Sequence, residues 1–220
     1  MARDHKLILL AGLFTASIVC ANVLASKLFE VGGFVMTAGI LAFPLTFLVT
    51  DVINDVWGRA TAQTVVWTGL AANLLMVLMF RVGIILPPAG FWGGQGAFES
   101  VLGAVPRIVL ASMVAYLISQ SWDVHIFDVI KRRLPTGLWL RNNLSTISSQ
   151  IIDSAIFLAL AFGGIMPIPD LVQMFFVYVV VKLAIALLDT PLVYLGVYWV
   201  RGGTFDARGT RLGHPHAEIR

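Results

Sequence analysis

The chain has 220 residues, of which 58% are hydrophobic and 12% charged. Soluble domains average about 45–50% apolar and about 25% charged, so a water-facing globule is excluded and the composition is that of an integral membrane protein. The net charge of +3 reads as a loop bias set by membrane orientation. That leaves the lipid bilayer as a partner and nucleic acid out.

In chain order, Leu7 to Ser26, Val31 to Thr50 and Ala60 to Phe80 carry no charged residue. Each run has the roughly 20 residues that a helix needs to cross a bilayer. The first is too long for the apolar region of a cleaved signal, so it is expected to stay as a span. Arg107 to Lys131 predicts a fourth span, interrupted by Asp123. Asn142 to Ile165 predicts a fifth, with Asp153 inside it. Leu171 to Val200 predicts a sixth, with Lys182 and Asp189 inside it and Pro191 expected to kink it or end its membrane part. Runs of this length are too long for barrel strands, and only helices and closed barrels satisfy their backbone in lipid. The expected fold is therefore an all-α integral membrane protein of six transmembrane helices. Residues 1–200 form its single domain, and 201–220 a polar cytoplasmic tail.

Between the third and fourth spans, Leu86 to Pro106 is dense in Pro and Gly, which breaks regular structure. Its Phe91, Trp92 and Phe98 suit either an anchor at the membrane interface or a gate over a site. Basic residues cluster on one side of the six spans: Arg3 and Lys6, Arg59, the group Lys131, Arg132, Arg133 and Arg141, and Arg201, Arg208, Arg211 and Arg220. The positive-inside rule then puts both termini in the cytoplasm. Cys20, the single cysteine, excludes an internal disulfide and a cysteine metal cluster, and reads as a small packing residue.

Polar residues fall in stripes. Thr15, Asn22 and Ser26 lie within roughly 40° of one another on the first helix at 100° per residue. Ser112, Tyr116, Ser119 and Asp123 share a 4–3–4 spacing with Asn142, Thr146, Ser149 and Asp153. Each set spans about 60° of one helix face, which reads as two stripes facing the bundle interior. Tyr178, Lys182 and Asp189 share a face of the sixth helix, while the third offers only scattered Gln63 and Asn73. Many of these groups have plain uses. Span hydroxyls bond their own backbone, Lys27 and Arg81 can snorkel, and Asp123 and Asp128 can pair with the adjacent basic loop. Asp51 and Asp55, four apart on one face, either line a site or sit at the cytoplasmic boundary.

Asp153 and Lys182 stand about 11 residues inside their spans, near the bilayer middle. Charge there costs several kcal/mol unless paired or hydrated, which marks both as functional candidates, with a structural ion pair as the alternative. A carboxylate can accept two parallel N–H bonds from a guanine-like edge, and Gln150 can give and take beside it. Phe43, Phe47, Trp57 and Phe157 can stack on a ring. This chemistry fits a small polar heterocycle, including a cationic one, and fits an anion poorly.

The stretch "FPLTFLVTDVINDVWGRATAQTVVW" carries a further signal in Phe43, Pro44, Thr46, Thr50, Asp51, Asp55, Trp57 and Gly58. Together with "ANVLASK", "WDVHIFD" and "RNNLSTISSQIIDSAIF", it resembles the queuosine-precursor transporter family, also called vitamin-uptake-like, from about residue 10 to 200. Asp55 departs from the resemblance, which more often has Glu there. The resemblance implies six helices arranged like the substrate-binding subunits of energy-coupling-factor transporters, in a bacterial inner membrane. It also implies uptake of 7-cyano- and 7-aminomethyl-7-deazaguanine, or queuine. The expected substrate-binding set is Asn22, Phe43, Asp51, Asp55, Asn143, Thr146, Gln150, Asp153 and Lys182, with no cofactor and no metal. Pro44 is expected to break its helix and free backbone carbonyls near the site.

Two other classes of protein share this composition. An enzyme would need a nucleophile with its base or a metal spacing, and neither His-x-x-Glu-His nor Gly-x-Ser-x-Gly occurs. A binding subunit of a larger transporter would take ATPases from other chains, since no P-loop occurs here. Ala21 and Ala25, one turn apart, could dock a partner helix, close a homodimer or pack within the monomer.

Overall fold

The computed structural model describes residues 3–133 and 138–201. In order they form α1 (Arg3–Leu24), β1 (Leu28–Val31), β2 (Phe34–Thr37), a 3₁₀ turn (Ala38–Ala42), α2 (Phe43–Trp57), α3 (Arg59–Ile85), α4 (Gln95–Leu102), α5 (Val105–Arg133), α6 (Leu138–Phe162) and α7 (Ile168–Val200). The expected tail lies outside the described residues beyond Arg201.

Among the described residues, five helices are long and apolar enough to cross a membrane: Arg3–Leu24, Ala38–Trp57, Arg59–Ile85, Gln95–Asp123 and Ile168–Ile185. The apolar part of α6, Thr146–Phe162, is shorter, as is Pro191–Val200. Only 17–33% of each span's apolar window is buried, and large side chains such as Ile8, Leu75, Val180 and Leu188 point outward. A soluble fold would hide such surface; a lipid-facing bundle displays it. Cys20 is among the exposed residues, not a packing residue.

The second predicted span needs correction. Val31 to Thr50 is not one helix, and the fold is not purely helical. Leu28–Val31 and Phe34–Thr37 pair antiparallel, with Val31 opposite Phe34. The two residues between them, Gly32 and Gly33, have φ of 59° and 82°. Two positive φ values in a two-residue loop are the demand of the hairpin turn that matches strand twist, and Gly meets it without strain. The helix resumes after the 3₁₀ turn with Pro44 in its first turn, where a missing N–H costs nothing. Pro44 therefore starts α2 and does not break it. Gly58, at φ 88°, ends α2 and directly precedes α3, a left-handed stop suited to Gly. Helix α7 runs on through Pro191 to Val200.

Basic side chains hold three helix ends. Arg3 donates to the Val56 carbonyl at 2.6 Å, and Lys6 to those of Trp199 and Val200 at 2.7 and 3.2 Å. Arg107 donates to Leu160 and Gly163 at 2.8 and 2.5 Å. Each cation meets carbonyls that a helix C-terminus leaves open, where the helix dipole also favours positive charge. The first two bonds put the start of α1 beside the ends of α2 and α7. At the other end of the bundle, Gln173 of α7 donates to Gly33 of the hairpin at 2.8 Å.

Three clusters fill the interior. One joins Ala25 and Ile40 to Ala111, Ala115, Phe157, Leu158, Met174 and Tyr178. A second packs Leu10 and Phe14 with Val49, Val52, Ile53 and Val197. A third joins Met76, Val105 and Val109. The Ala21/Ala25 face is occupied within the monomer: a Cβ built on Gly39 would stand 2.5 Å from the Ala21 carbonyl oxygen and 3.1 Å from the Ala25 methyl. Of the loop aromatics, Phe91 is exposed, and Trp92 meets Phe98 edge-on at 6.0 Å. Phe98 lies against Gly83 at the end of α3. Gly39→Ala is expected to destabilise the bundle by about 1–3 kcal/mol, the cost of overpacking against backbone, read as a lowered midpoint of thermal unfolding in detergent.

Candidate functional site

Halfway along α7, Lys182 turns inward and is 6% exposed. Its ammonium donates to Asp153 Oδ2 of α6 at 2.6 Å. In apolar surroundings neither charge is tolerable alone, and side by side they neutralise each other. The second carboxylate oxygen, Oδ1, takes a bond from Ser119 of α5 at 3.3 Å. Phe43, at the start of α2, places its ring 5.3 Å from the ammonium, within the range of a cation–π contact. Four elements thus meet at one ion pair.

Aromatic rings cover the pair on the hairpin side. Tyr178 lies one turn from Lys182 on the same face of α7. It meets Phe43 edge-on at 6.0 Å and stacks on Phe157 at 6.3 Å. Its hydroxyl is fully buried and hydrogen-bonds the hydroxyl of Thr37, the last residue of β2. The hairpin, the aromatic layer and the ion pair therefore form a continuous column.

One turn further along the α5–α6 seam the arrangement repeats in reverse. Ser149 of α6 contacts Asp123 Oδ1 of α5 at 3.4 Å. The two stripes of equal spacing are the two sides of this seam, Ser facing Asp twice. Both hydroxyls have nearer backbone acceptors, Tyr116 at 3.1 Å and Thr146 at 2.9 Å. A hydroxyl has one proton, so each carboxylate keeps most of its accepting capacity.

Of the nine expected residues, Phe43, Asp153 and Lys182 come together. Gln150 and Thr146 lie on the Asp153 face of α6, half-buried and exposed respectively. Asn22 does not join them. Its amide donates to Asn73 Oδ1 at 3.0 Å and to the Ile18 carbonyl, making a buried polar seam between α1 and α3. Asp51 and Asp55 are exposed on α2, about 12 and 18 Å along the helix from Phe43 at 1.5 Å per residue. Asp55 pairs with Arg201 at 2.8 Å. The side chains of Asn143 and Asp189 lie outside the described ones. Ser26 and Ser112 bond their own backbone.

The expected binding set omits Thr37 and Asn73, and omits Tyr178, Ser119 and Asp123 although these three stand in the polar stripes. Tyr178 had a signal, its four-residue spacing from Lys182. Thr37 had none, because only the hairpin carries it to α7.

A bundle of lipid-facing helices, closed around an inward charge pair and an aromatic layer, defines a multi-pass membrane protein of the transporter class. Residues 37–196 match the family described as "Putative vitamin uptake transporter". The chain is 35% identical over 178 residues to the "Probable queuosine precursor transporter" of Bacillus subtilis, covering 80% of this chain and 78% of that one. It is 30% identical over 145 residues to the "Queuosine precursor transporter" of Escherichia coli, covering 66% and 63%. A Haemophilus influenzae protein with the same name as the Bacillus one is 29% identical over 129 residues, covering 57% and 52%. No solved structure matches the chain. The chain belongs to this vitamin-uptake family of transporters.

Removing one partner of a buried ion pair costs more than removing both. Asp153→Asn is expected to lose about 3 kcal/mol, and Asp153→Asn with Lys182→Met to regain most of it in the same thermal assay. Thr37→Val and Tyr178→Phe each strand a buried hydroxyl, for about 1–3 kcal/mol apiece. Their double variant should lose less than the sum, the mark of direct coupling in a double-mutant cycle.

Proposed function

We propose that this protein imports 7-deazaguanine queuosine precursors (7-cyano-7-deazaguanine, 7-aminomethyl-7-deazaguanine or queuine) into the bacterial cytoplasm. The observation that carries the reading is the Asp153–Lys182 pair beneath the Phe43, Tyr178 and Phe157 rings. A guanine-like edge offers adjacent N–H donors beside a carbonyl acceptor. A carboxylate next to an ammonium is its complement, the one accepting and the other donating. The rings supply faces on which a planar base can stack. In this reading Lys182 lends part of its bond with Asp153 to the base, so the pair itself stays neutral whether the site is empty or loaded. The names of the relatives point to the same class of substrate.

The accompanying architecture has six membrane spans, with α6 the fifth in chain order, and with the Arg3, Lys6, Arg59 and Arg201 end in the cytoplasm by the positive-inside rule. Its likeness to the substrate-binding subunits of energy-coupling-factor transporters belongs to the same proposal, as do a single transmembrane domain over 1–200 and an inner-membrane location. Asp51 and Asp55, at the cytoplasmic end, then act at the exit and not in the binding layer. A subunit role beside separate ATPases is the second reading. The occupation of the Ala21/Ala25 face by Gly39 removes the docking face that favoured it.

The test is uptake in a bacterium that neither makes queuosine precursors nor has its own importer. Supplied with each base at nanomolar levels, cells expressing this chain are expected to regain queuosine in tRNA. Asp153→Asn with Lys182→Met, at normal membrane abundance, is expected to abolish the gain. Failure with every base despite good expression would reject the substrate class.

A further inference from the structure

Lys182 pairs with Asp153 and Arg201 with Asp55. Asp123 is in neither. It lies on α5, within the apolar segment Gln95–Asp123, and is half-buried. Its contact is the Ser149 hydroxyl at 3.4 Å, and that hydroxyl is closer to its own backbone acceptor, the Thr146 carbonyl, at 2.9 Å.

Among the described side chains, the seam therefore brings together two carboxylates one helical turn apart, about 6 Å along the helix, and the Lys182 ammonium. Lys182 is committed to Asp153 at 2.6 Å. Among the described side chains, the cluster of Asp153, Lys182 and Asp123 has two carboxylates and one ammonium. Asp123 closes the apolar segment, and a half-buried carboxylate there is favoured when a cation meets it. The family reading gives the site a base; the second carboxylate says what that base should carry. We infer that Asp123 is the specificity-determining residue that selects a planar base bearing one positive charge over a neutral base of the same size. This inference rests on the 7-deazaguanine reading and sharpens it. The Asp153–Lys182 pair takes the guanine edge, and Asp123, one turn away along the same seam, accepts the N–H donors of a cationic substituent.

The experiment uses the full-length protein in detergent and two bases that differ in charge but barely in size, 7-aminomethyl-7-deazaguanine and its 7-hydroxymethyl analogue. The wild type is expected to bind the aminomethyl base about tenfold more tightly, the order of preference that one charge-assisted hydrogen bond supplies. Asp123→Asn is expected to bring the ratio close to one, chiefly by weakening binding of the aminomethyl base. Asp123→Glu, which keeps the charge, is expected to retain most of the preference. Equal affinities in the wild type, or a ratio unchanged in Asp123→Asn, overturn the inference while leaving the 7-deazaguanine reading intact. The wild-type comparison stands even where the Asn variant fails to accumulate. Binding of neither base overturns the 7-deazaguanine reading, and this inference falls with it.

Discussion

Two opposite charges held 2.6 Å apart in apolar surroundings constrain everything near them. An ammonium on α7 and a carboxylate on α6 cannot separate without exposing each to a medium that solvates neither. The pair therefore sets the register of α6 against α7. Ser119 ties α5 to the same carboxylate, and Phe43 brings α2 to the ammonium. The helices are positioned by a polar centre, while their outer faces stay smooth and apolar. That division suits a bilayer, where apolar contact between helices gains little over contact with lipid.

The same centre explains why the small hairpin exists. Strands are rarely useful near lipid, because their open edges leave backbone groups unpaired. Here two short strands satisfy each other, and Ala38 extends the arrangement by donating to Lys27 at 2.9 Å. The hairpin delivers one side chain of consequence, Thr37, to the buried Tyr178 hydroxyl. It also sets Gly39 hard against α1. A helix continued through the same stretch would carry Thr37 past the bundle end and give Tyr178 no partner.

How much of this was legible in the sequence depended on the kind of signal. The long helices were, because an uncharged run of span length has few physical alternatives. Asp153 and Lys182 stood out for the complementary reason, as charges where charge is expensive. Their partnership was legible only as an alternative to a ligand role, because nothing local relates positions 29 apart on separate helices. The hairpin was missed because hydropathy treats Val31 to Thr37 like any apolar run, and only the Gly32–Gly33 pair hints at a turn. Asn73 looked scattered because a lone amide on an apolar helix shows its purpose only when its partner, Asn22, lies opposite. Asp51 and Asp55 drew notice through a motif, yet α2 carries them well away from Phe43. Residues close in sequence need not serve one place when a helix lies between them.

The basic caps at the chain start have a bearing on biogenesis. Lys6 reaches carbonyls that lie 193 and 194 residues later in the chain. Helices are made and inserted in order, so the first one must wait in the membrane until the last has been delivered. During that interval the C-terminus of α7 does not exist and the α1 lysine has no carbonyl to meet. Contacts this remote in sequence close late, since their loop entropy is paid before they contribute. The tie between α1 and α7 thus closes last, and an interrupted synthesis leaves α1 fastened to α2 and α3 but not to α7.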